Sequence, residues 1–486
     1  MAGEAAIHGA ATSAHALLLL FLVPLVLLLV GAKRWNRRSK QRLNLPLPPS
    51  PPRALPVIGH LHHVGPLPHV SFRELASKHG RDLMLLRLGA VDTVVVSSPR
   101  AAAAVLRTHD HALASRSCSA VADIIFYKRT DVAFAPYGEP WRQARKVVTT
   151  HMLSAKKVHS FRHDREEEAR IAMAKIRDAA ATAGPAAPVD MSELLGSYAN
   201  DVVCRAVLGR NHRDDGRNKL LRELIDINMS LLGGFNVEDY FPSLAVADVF
   251  TGMVVCPRAR RVRKRWDELL HKLIDEHGRQ REQDDASADF IHVLLAQQEE
   301  YGLTTDNVKA ILLDMFEAGT ETTYLVPEFA MAELMNNPHV MAKLQAEVPL
   351  LLPHLSIADC EVDGYAIPAG TRLMVNAWAL ARDPASWEAP DEFAPERFLQ
   401  GGSAAAVDSK GKDFEFLPFG SGRRICPGIN FANTAVEMML ANLVYHFDWE
   451  LPAGTKGVDM TEVFSLSIRR KEKLLLVPTP RSRREE

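Results

Sequence analysis

Phe419-Gly420-Ser421-Gly422-Arg423-Arg424-Ile425-Cys426-Pro427-Gly428 is the stretch that decides how the rest of the chain is read. It sets one cysteine in a glycine-rich loop, with two arginines just before it and an apolar helical run, Ile429–Val444, just after. Nearby positive charge, backbone N–H groups and a helix N-terminus all favour a thiolate over a thiol. A thiolate held in this way suits a soft or redox-active metal. A buried free cysteine in a tight turn is the plainer alternative, and the ten-residue context speaks against it.

Upstream, Thr304 opens a long helical pattern, TTDNVKAILLDMFEAGTETTYLVPEFAMAELMNN, with Asp306 in its first turn. Inside it lies Ala318-Gly319-Thr320-Glu321-Thr322-Thr323. Glycine costs about 1 kcal/mol in a helix interior, and threonine there can bond back to the i−4 carbonyl. The segment is thus a weakened, polar patch in an apolar helix, with room for a small ligand and water beside hydroxyl and carboxyl groups. A solvent-facing polar patch is the alternative. Pro327, five residues after Thr322, removes a helical hydrogen bond and costs about 3 kcal/mol unless a kink absorbs it.

The chain has 486 residues, 47% apolar and 24% charged, which fits a folded globular protein and excludes a disordered one. Lys plus Arg (58) against Asp plus Glu (59) leaves a net charge of −1. That balance excludes nucleic-acid binding through a broadly basic surface. Five scattered cysteines without a C-x-x-C pair support neither a disulfide framework nor a structural zinc site. The body reads as mainly helical. Helical spacing covers Ser71–His79, Ala102–Leu106, Pro140–Met152, Arg165–Ala179 and Ser192–Leu208, and a charged helix with a solvated face spans Arg258–Gln283. Leu83–Leu88 and Thr93–Ser97 flank Gly89 as a small hairpin, and short strands and turns follow Pro349.

Residues 1–45 read as a membrane anchor with a basic stop-transfer segment. Thr12 to Ala32 carries no formal charge and is long enough to cross a hydrocarbon core. Lys33, Arg34, Arg37, Arg38, Lys40 and Arg42 follow at once, which directs the remainder to the cytosol. A cleaved signal peptide is disfavoured, because the basic residues follow the apolar run instead of preceding it. Residues 46–486 form the body, led by a proline-rich hinge at 46–59 that favours a stiff extended segment. An ordinary linker is the alternative for the hinge. His60, His62 and His63 read as a polar turn, not a metal site.

Together the cysteine loop and the polar helix segment resemble the cytochrome P450 family, the haem-thiolate monooxygenases. Phe419, Gly422, Arg424, Cys426 and Gly428 match F-x-x-G-x-R-x-C-x-G, and Ala318, Gly319, Glu321 and Thr322 match A-G-x-E-T. Trp141 and Arg145 look like the W-x-x-x-R pair that reaches a haem propionate, and His354 like the basic position near one. Pro395-Glu396-Arg397-Phe398 looks like the P-E-R-F meander. The anchor and hinge resemble the plant microsomal A-type class. The wording around Pro136-Tyr137-Gly138 is close to grass enzymes that oxidise indole-type (benzoxazinoid) precursors of defence compounds.

The resemblance implies a mainly α fold with small β-sheets, preceded by one N-terminal transmembrane helix, at the endoplasmic reticulum membrane. It implies haem b with Cys426 as axial ligand, a small apolar or heteroaromatic substrate, O2, and NADPH electrons arriving through a flavoprotein reductase. Thr322 and Glu321 would deliver protons, while Trp141, Arg145 and Arg424 would hold the propionates. Phe419 would shield the sulfur. Arg142 and Lys146, with the arginines around Cys426, would give a basic face for the reductase. Ser115–Phe126, Leu312–Glu317, Pro349–Leu352 and Phe464–Ser467 are the implied substrate-facing stretches.

One departure stands out. The family carries an E-x-x-R helix between the oxygen motif and the meander, and no Glu with Arg three residues later occurs between Thr323 and Arg372. The gap looks like an internal deletion at the Val348–Pro349 junction. It predicts that Arg397 loses its carboxylate partner, an unpaired buried charge costing several kcal/mol. Two rivals follow: a haem-deficient, inactive splice or gene-model variant, and a haem-thiolate isomerase or dehydratase needing neither O2 nor reductase. Glu321 and Thr322 argue against the latter.

Overall fold

A computed structural model describes residues 44–184, 187–209, 216–242, 256–280, 289–337 and 352–481. The expected anchor and the Val348–Pro349 junction lie outside the described residues. Among the described residues no helix is long and apolar enough to cross a membrane.

Nine helices of seven residues or more carry the described fold: α1 Pro68–His79, α2 Glu139–His151, α3 Arg162–Ala183, α4 Met191–Leu208, α5 Arg217–Gly233, α6 Cys256–Gln280, α7 Phe290–Ala296, α8 Thr305–Asn336 and α9 Ile429–His446. Helix α8 starts where Thr304 Oγ1 accepts from the Asn307 N–H and Asn307 Oδ1 accepts from the Thr304 N–H, a reciprocal cap. It runs unbroken past Pro327, which is buried. Helix α4 begins on the Asp190 side chain and ends at Gly209 with φ +69°. It is buried nearly all round, with Asn200 and Asp201 enclosed among its apolar residues. Helices α4, α8 and α9 pack together at the centre of the main apolar core, with Leu195, Val203, Ile311, Phe316, Met439 and Leu443 in it. The charged helix α6 is amphipathic: Ala259, Trp266 and Leu270 are fully buried, while its charged residues face outward.

Five strands form the larger sheet, in the order β1 (Leu83–Leu88), β2 (Val91–Val96), β8 (Arg372–Val375), β5 (His354–Leu355) and β3 (Ser115–Arg116). The expected hairpin is present, with β1 Leu83–Leu88 pairing antiparallel to β2 Val91–Val96 across Gly89. Strand β8, Arg372–Val375, runs parallel to β2. Strand β5, His354–Leu355, bridges β8 to β3, Ser115–Arg116, and sets Arg116 opposite His354. A second sheet joins β4 Val189–Asp190, β12 Leu475–Pro480 and β9 Phe447–Glu450, and two hairpins complete the strands: β6 Cys360–Val362 with β7 Tyr365–Ile367, and β10 Glu462–Phe464 with β11 Ile468–Arg470. The proline-rich segment is extended and laid on the body: the Pro49 carbonyl accepts from the Leu85 N–H and that of Pro46 from the Ala366 N–H. His60 bonds to the Pro51 carbonyl and accepts from the Arg87 N–H, the role of a turn residue.

Arg397 is not stranded. Its Nε donates to the Ala394 carbonyl at 3.0 Å, Nη1 to that of Glu388 at 2.8 Å, and Nη2 to those of Ala389 and Glu392, both at 3.1 Å. The expected unpaired charge is replaced by a ring of main-chain oxygens, which satisfies the guanidinium without a carboxylate.

Candidate active site

The cysteine loop owes its shape to two glycines in the left-handed region, Gly420 (φ +69°) and Gly422 (φ +68°). A Cβ on Gly422 would lie 2.2 Å from the Leu106 carbonyl oxygen, so no other residue fits there. The Cys426 N–H donates to the Phe419 carbonyl at 2.9 Å, and the Gly428 N–H donates to Cys426 Sγ at 3.3 Å. Phe419 is partly accessible beside them. Burial pushes the Cys426 thiol up, against the pull of the Gly428 N–H and of Arg145.

The cation at the sulfur is therefore Arg145, not the two arginines that precede the cysteine. Arg145, in α2, donates Nη2 to the Ile425 carbonyl at 2.5 Å. Arg423 turns outward to Asp110, 3.2 Å away. Arg424 turns inward and is 8% exposed, donating to the carbonyls of Ala114, Val132 and Ala135 at 2.7, 3.3 and 2.6 Å. Of the arginines around Cys426 expected on a basic face, only Arg423 reaches the surface. Trp141 Nε1 shares the Val132 carbonyl at 3.0 Å.

Arg116 joins this group; the resemblance sets it only within the substrate-facing stretch Ser115–Phe126 and not beside a propionate. It is 7% exposed, and among the described residues its hydrogen bonds go to the carbonyls of Ala133 (3.0 Å) and Leu352 (3.1 Å). Burial pushes Arg116 down to about 10, and burial together with Arg116 and Arg145 pushes Arg424 down to about 9. His354 is pushed down to about 3 by burial and by Arg116, and its Nδ1 donates to the Leu113 carbonyl at 3.0 Å. It is a neutral imidazole here, not the expected positive group. The nearest acid, Asp131, is itself pushed up to about 6 by burial. Among the described residues, the buried Arg116 and Arg424, with the half-buried Arg145 beside them, are offset only by Asp131 and, at Arg424, by Asp110, so the site suits a dianion. The two carboxylates of a haem next to a cysteine ligand supply that charge, so the donor set fits the group.

The opposite wall is α8. Ala318, Thr322 and Val326 recur every four residues and stay accessible, so they share one open face of α8 at the polar segment. Thr322 Oγ1 donates to the Ala318 carbonyl at 2.7 Å. Gly319 faces elsewhere: its Cβ would come within 2.8 Å of Val203 Cγ2, so this glycine brings α8 close to α4 and does not itself make room for a ligand. Glu321 is buried and its Oε1 accepts from Arg469 Nε at 2.6 Å. Burial pushes the Glu321 carboxyl up, and Arg469 pulls it back. One turn and more upstream, Asp314 Oδ2 accepts from the Val132 N–H at 2.6 Å, and Glu317 accepts from Asn228 of α5.

The family pattern described as Cytochrome P450 matches residues 48–349 and 348–477. The chain belongs to the cytochrome P450 family. The P450 match breaks at residues 348–349, between the oxygen motif and the meander, where the sequence carries no E-x-x-R. An indolin-2-one monooxygenase of Zea mays is 56% identical over 520 aligned positions, covering 97% of this chain and 96% of that one. Those positions outnumber the 486 residues of this P450, so the relative carries residues that face gaps here. A 3-hydroxyindolin-2-one monooxygenase and an indole-2-monooxygenase, both of Zea mays, are 54% and 52% identical, covering 96% and 97% of this chain and 95% and 97% of theirs. A zebra fish P450 solved with abiraterone superposes with a TM-score of 0.70 at 23% identity, over 86% of this chain and all of that one. The fold is thus the P450 fold, mainly helical with small sheets. This P450 is a haem-thiolate monooxygenase of the plant A-type class, with Cys426 as the thiolate ligand.

Proposed function

We propose that this P450 inserts one atom of O2 into a small heteroaromatic substrate of the indole or indolinone type. The observation that carries the reading is identity above 50%, over nearly the whole of each chain, to three enzymes named for such substrates. The balanced reaction takes substrate C–H, O2, NADPH and a proton to substrate C–OH, NADP+ and water. Haem supplies the O2 activation when bound.

The chain's own residues bind, orient and protonate. Arg116, Arg145 and Arg424 hold the propionates by charge-assisted bonds, and Trp141 backs them. The Gly428 N–H supports the thiolate sulfur, and Phe419 keeps water from it. Thr322, its hydroxyl hydrogen on the Ala318 carbonyl, keeps its oxygen lone pairs for a proton donor, and Glu321 feeds that relay. Arg142, Lys146 and Arg423, on the accessible side of the cysteine loop, attract an acidic NADPH-dependent flavoprotein reductase. Residues 12–32 anchor the enzyme in the endoplasmic reticulum membrane with the body in the cytosol. Arg397, satisfied by carbonyls, supports haem retention without the E-x-x-R helix.

The test is expression in microsomes with a plant reductase, a reduced carbon-monoxide spectrum, and mass-spectrometric assay with indole and with indolin-2-one. A thiolate-type Soret band and an NADPH-dependent product gaining one oxygen are expected. A normal band with no product from either compound would overturn the substrate class. No band at all would overturn the enzyme reading for this chain.

A further inference from the structure

Three elements, α8, α5 and β11, meet at one guanidinium. Arg469 of β11 donates Nε to Glu321 Oε1 of α8 at 2.6 Å and Nη1 to Asp226 Oδ1 of α5 at 3.1 Å. The strand that carries it is locked to α5 independently: the Leu466 N–H donates to the Met229 carbonyl at 3.2 Å, and a Cβ on Gly233 would lie 1.9 Å from Leu466 N. Among the described residues, Glu321 Oε2 and Arg469 Nη2 are enclosed with no hydrogen bond of ordinary geometry, and Tyr324 lies beside the carboxyl. Glu321 is 1% exposed against 24% for Arg469, so the pair takes a carboxylate out of water and returns little stability for its desolvation, which points to a use other than holding the fold.

We propose that Arg469 is a positioning residue for proton delivery, holding the Glu321 carboxylate at the α8 wall and tying it through Asp226 to the helix α5. This rests on the proposed relay role of Glu321 and Thr322. The groups that face Glu321 are Arg469 from β11, Asp226 from α5, and Tyr324 and Glu317 from α8 itself. Arg469 is the one cation among them. Asp226 opposes it twice, by repelling Glu321 and by sharing the guanidinium. The geometry therefore makes two substitutions act in opposite directions. Arg469→Gln removes the cation and drives the Glu321 titration up. Asp226→Asn removes the competitor and drives it down. A side chain that only braced the fold would move both variants the same way.

The experiment is infrared titration of the carboxylic C=O stretch in the purified full chain, which needs no turnover, with the Glu321→Gln difference spectrum isolating the Glu321 band from Asp314 and Glu317. The Glu321 midpoint should rise by about 1 pH unit or more in Arg469→Gln, as expected on losing an opposite charge at contact distance. It should fall in Asp226→Asn and stay near wild type in Arg469→Lys. The acid limb of the turnover pH profile should follow the same order. Unchanged midpoints, or shifts of one sign in both variants, would overturn the proposal. If Arg469→Gln does not fold, the downward shift in Asp226→Asn alone decides. Midpoints that order as stated with no matching change in the turnover profile would uphold the pairing but overturn the relay role on which it rests.

Discussion

The guanidinium of Arg424 lies 4.1 Å from the centre of the Trp141 ring, and both side chains end on the Val132 carbonyl. A cation stacked on an indole face is attracted by the ring quadrupole, most strongly where water is excluded. The arrangement couples the cysteine loop to α2 through one main-chain oxygen.

Trp141→Ala should destabilise the protein by about 3–5 kcal/mol, the usual cost of deleting a large buried ring. Trp141→Phe keeps the ring face and loses the N–H bond, costing about 0.5–1.5 kcal/mol. Urea midpoints measure both. Arg424→Lys should behave closer to Trp141→Ala in haem content, because an ammonium cannot serve three carbonyls in a fork while stacking. Haem absorbance per polypeptide is the readout.

Arg116→Gln should split two properties in opposite directions. Without haem, removing one of three crowded guanidiniums relieves repulsion, so the apo protein should be as stable as wild type or more so. With haem, one charge-assisted bond worth about 1.5–3 kcal/mol is lost, and haem should dissociate roughly tenfold to a hundredfold faster. Haem transfer to apomyoglobin measures the rate. Lower apo stability with unchanged transfer would show that Arg116 serves the fold and not the propionates.

Gly319→Ala places a methyl 2.8 Å from Val203 Cγ2, so the variant should unfold earlier, by about 1–3 kcal/mol for an overpacked contact. Val203→Ala in the same chain should recover most of that loss. A double-mutant cycle tests this. Additive losses would mean that Gly319 is needed for a reason other than its approach to α4.

The cysteine loop, the polar segment of α8 and the Trp141/Arg145 pair were legible in the sequence because each is a local pattern whose chemistry depends on neighbours a few residues apart. Arg116 and Arg469 were not. Each is one arginine in a short strand, and its meaning comes from register: β3 against β5 brings Arg116 beside His354, and the β10–β11 hairpin carries Arg469 to Glu321. His354 was legible as a position but not as a charge state, since its neutrality follows from burial and from Arg116. The stranding of Arg397 was inferred from a missing carboxylate, and the backbone, invisible to a motif, supplied four acceptors instead.

Away from the site, His277 of α6 shares Asp289 with His292, at 3.3 Å and 2.9 Å. Asp289 and the carbonyls of Leu273 and Leu208 raise His277 despite its burial, and the two histidines hold Asp289 low despite its own. A raised histidine contributes stability that is complete below about pH 6.5 and fades as pH climbs through the folded value. The depressed Asp289 contributes above about pH 3.8 and fades as pH falls through its folded value. His277→Gln should therefore lose most stability near pH 6 and progressively less toward pH 9. Thermal midpoints of wild type and variant across that range check it, and a constant difference would contradict it.

Arg397 rests on oxygens that every amino acid owns. Its anchorage is therefore indifferent to which side chains occupy positions 388, 392 and 394, and drift there leaves the grip intact, whereas Ala389, at φ +43°, admits few residues but glycine and asparagine. Chain length is another matter. One residue inserted or removed between Trp387 and Arg397 would rotate those carbonyls out of reach, so this segment tolerates spelling changes and forbids changes of count.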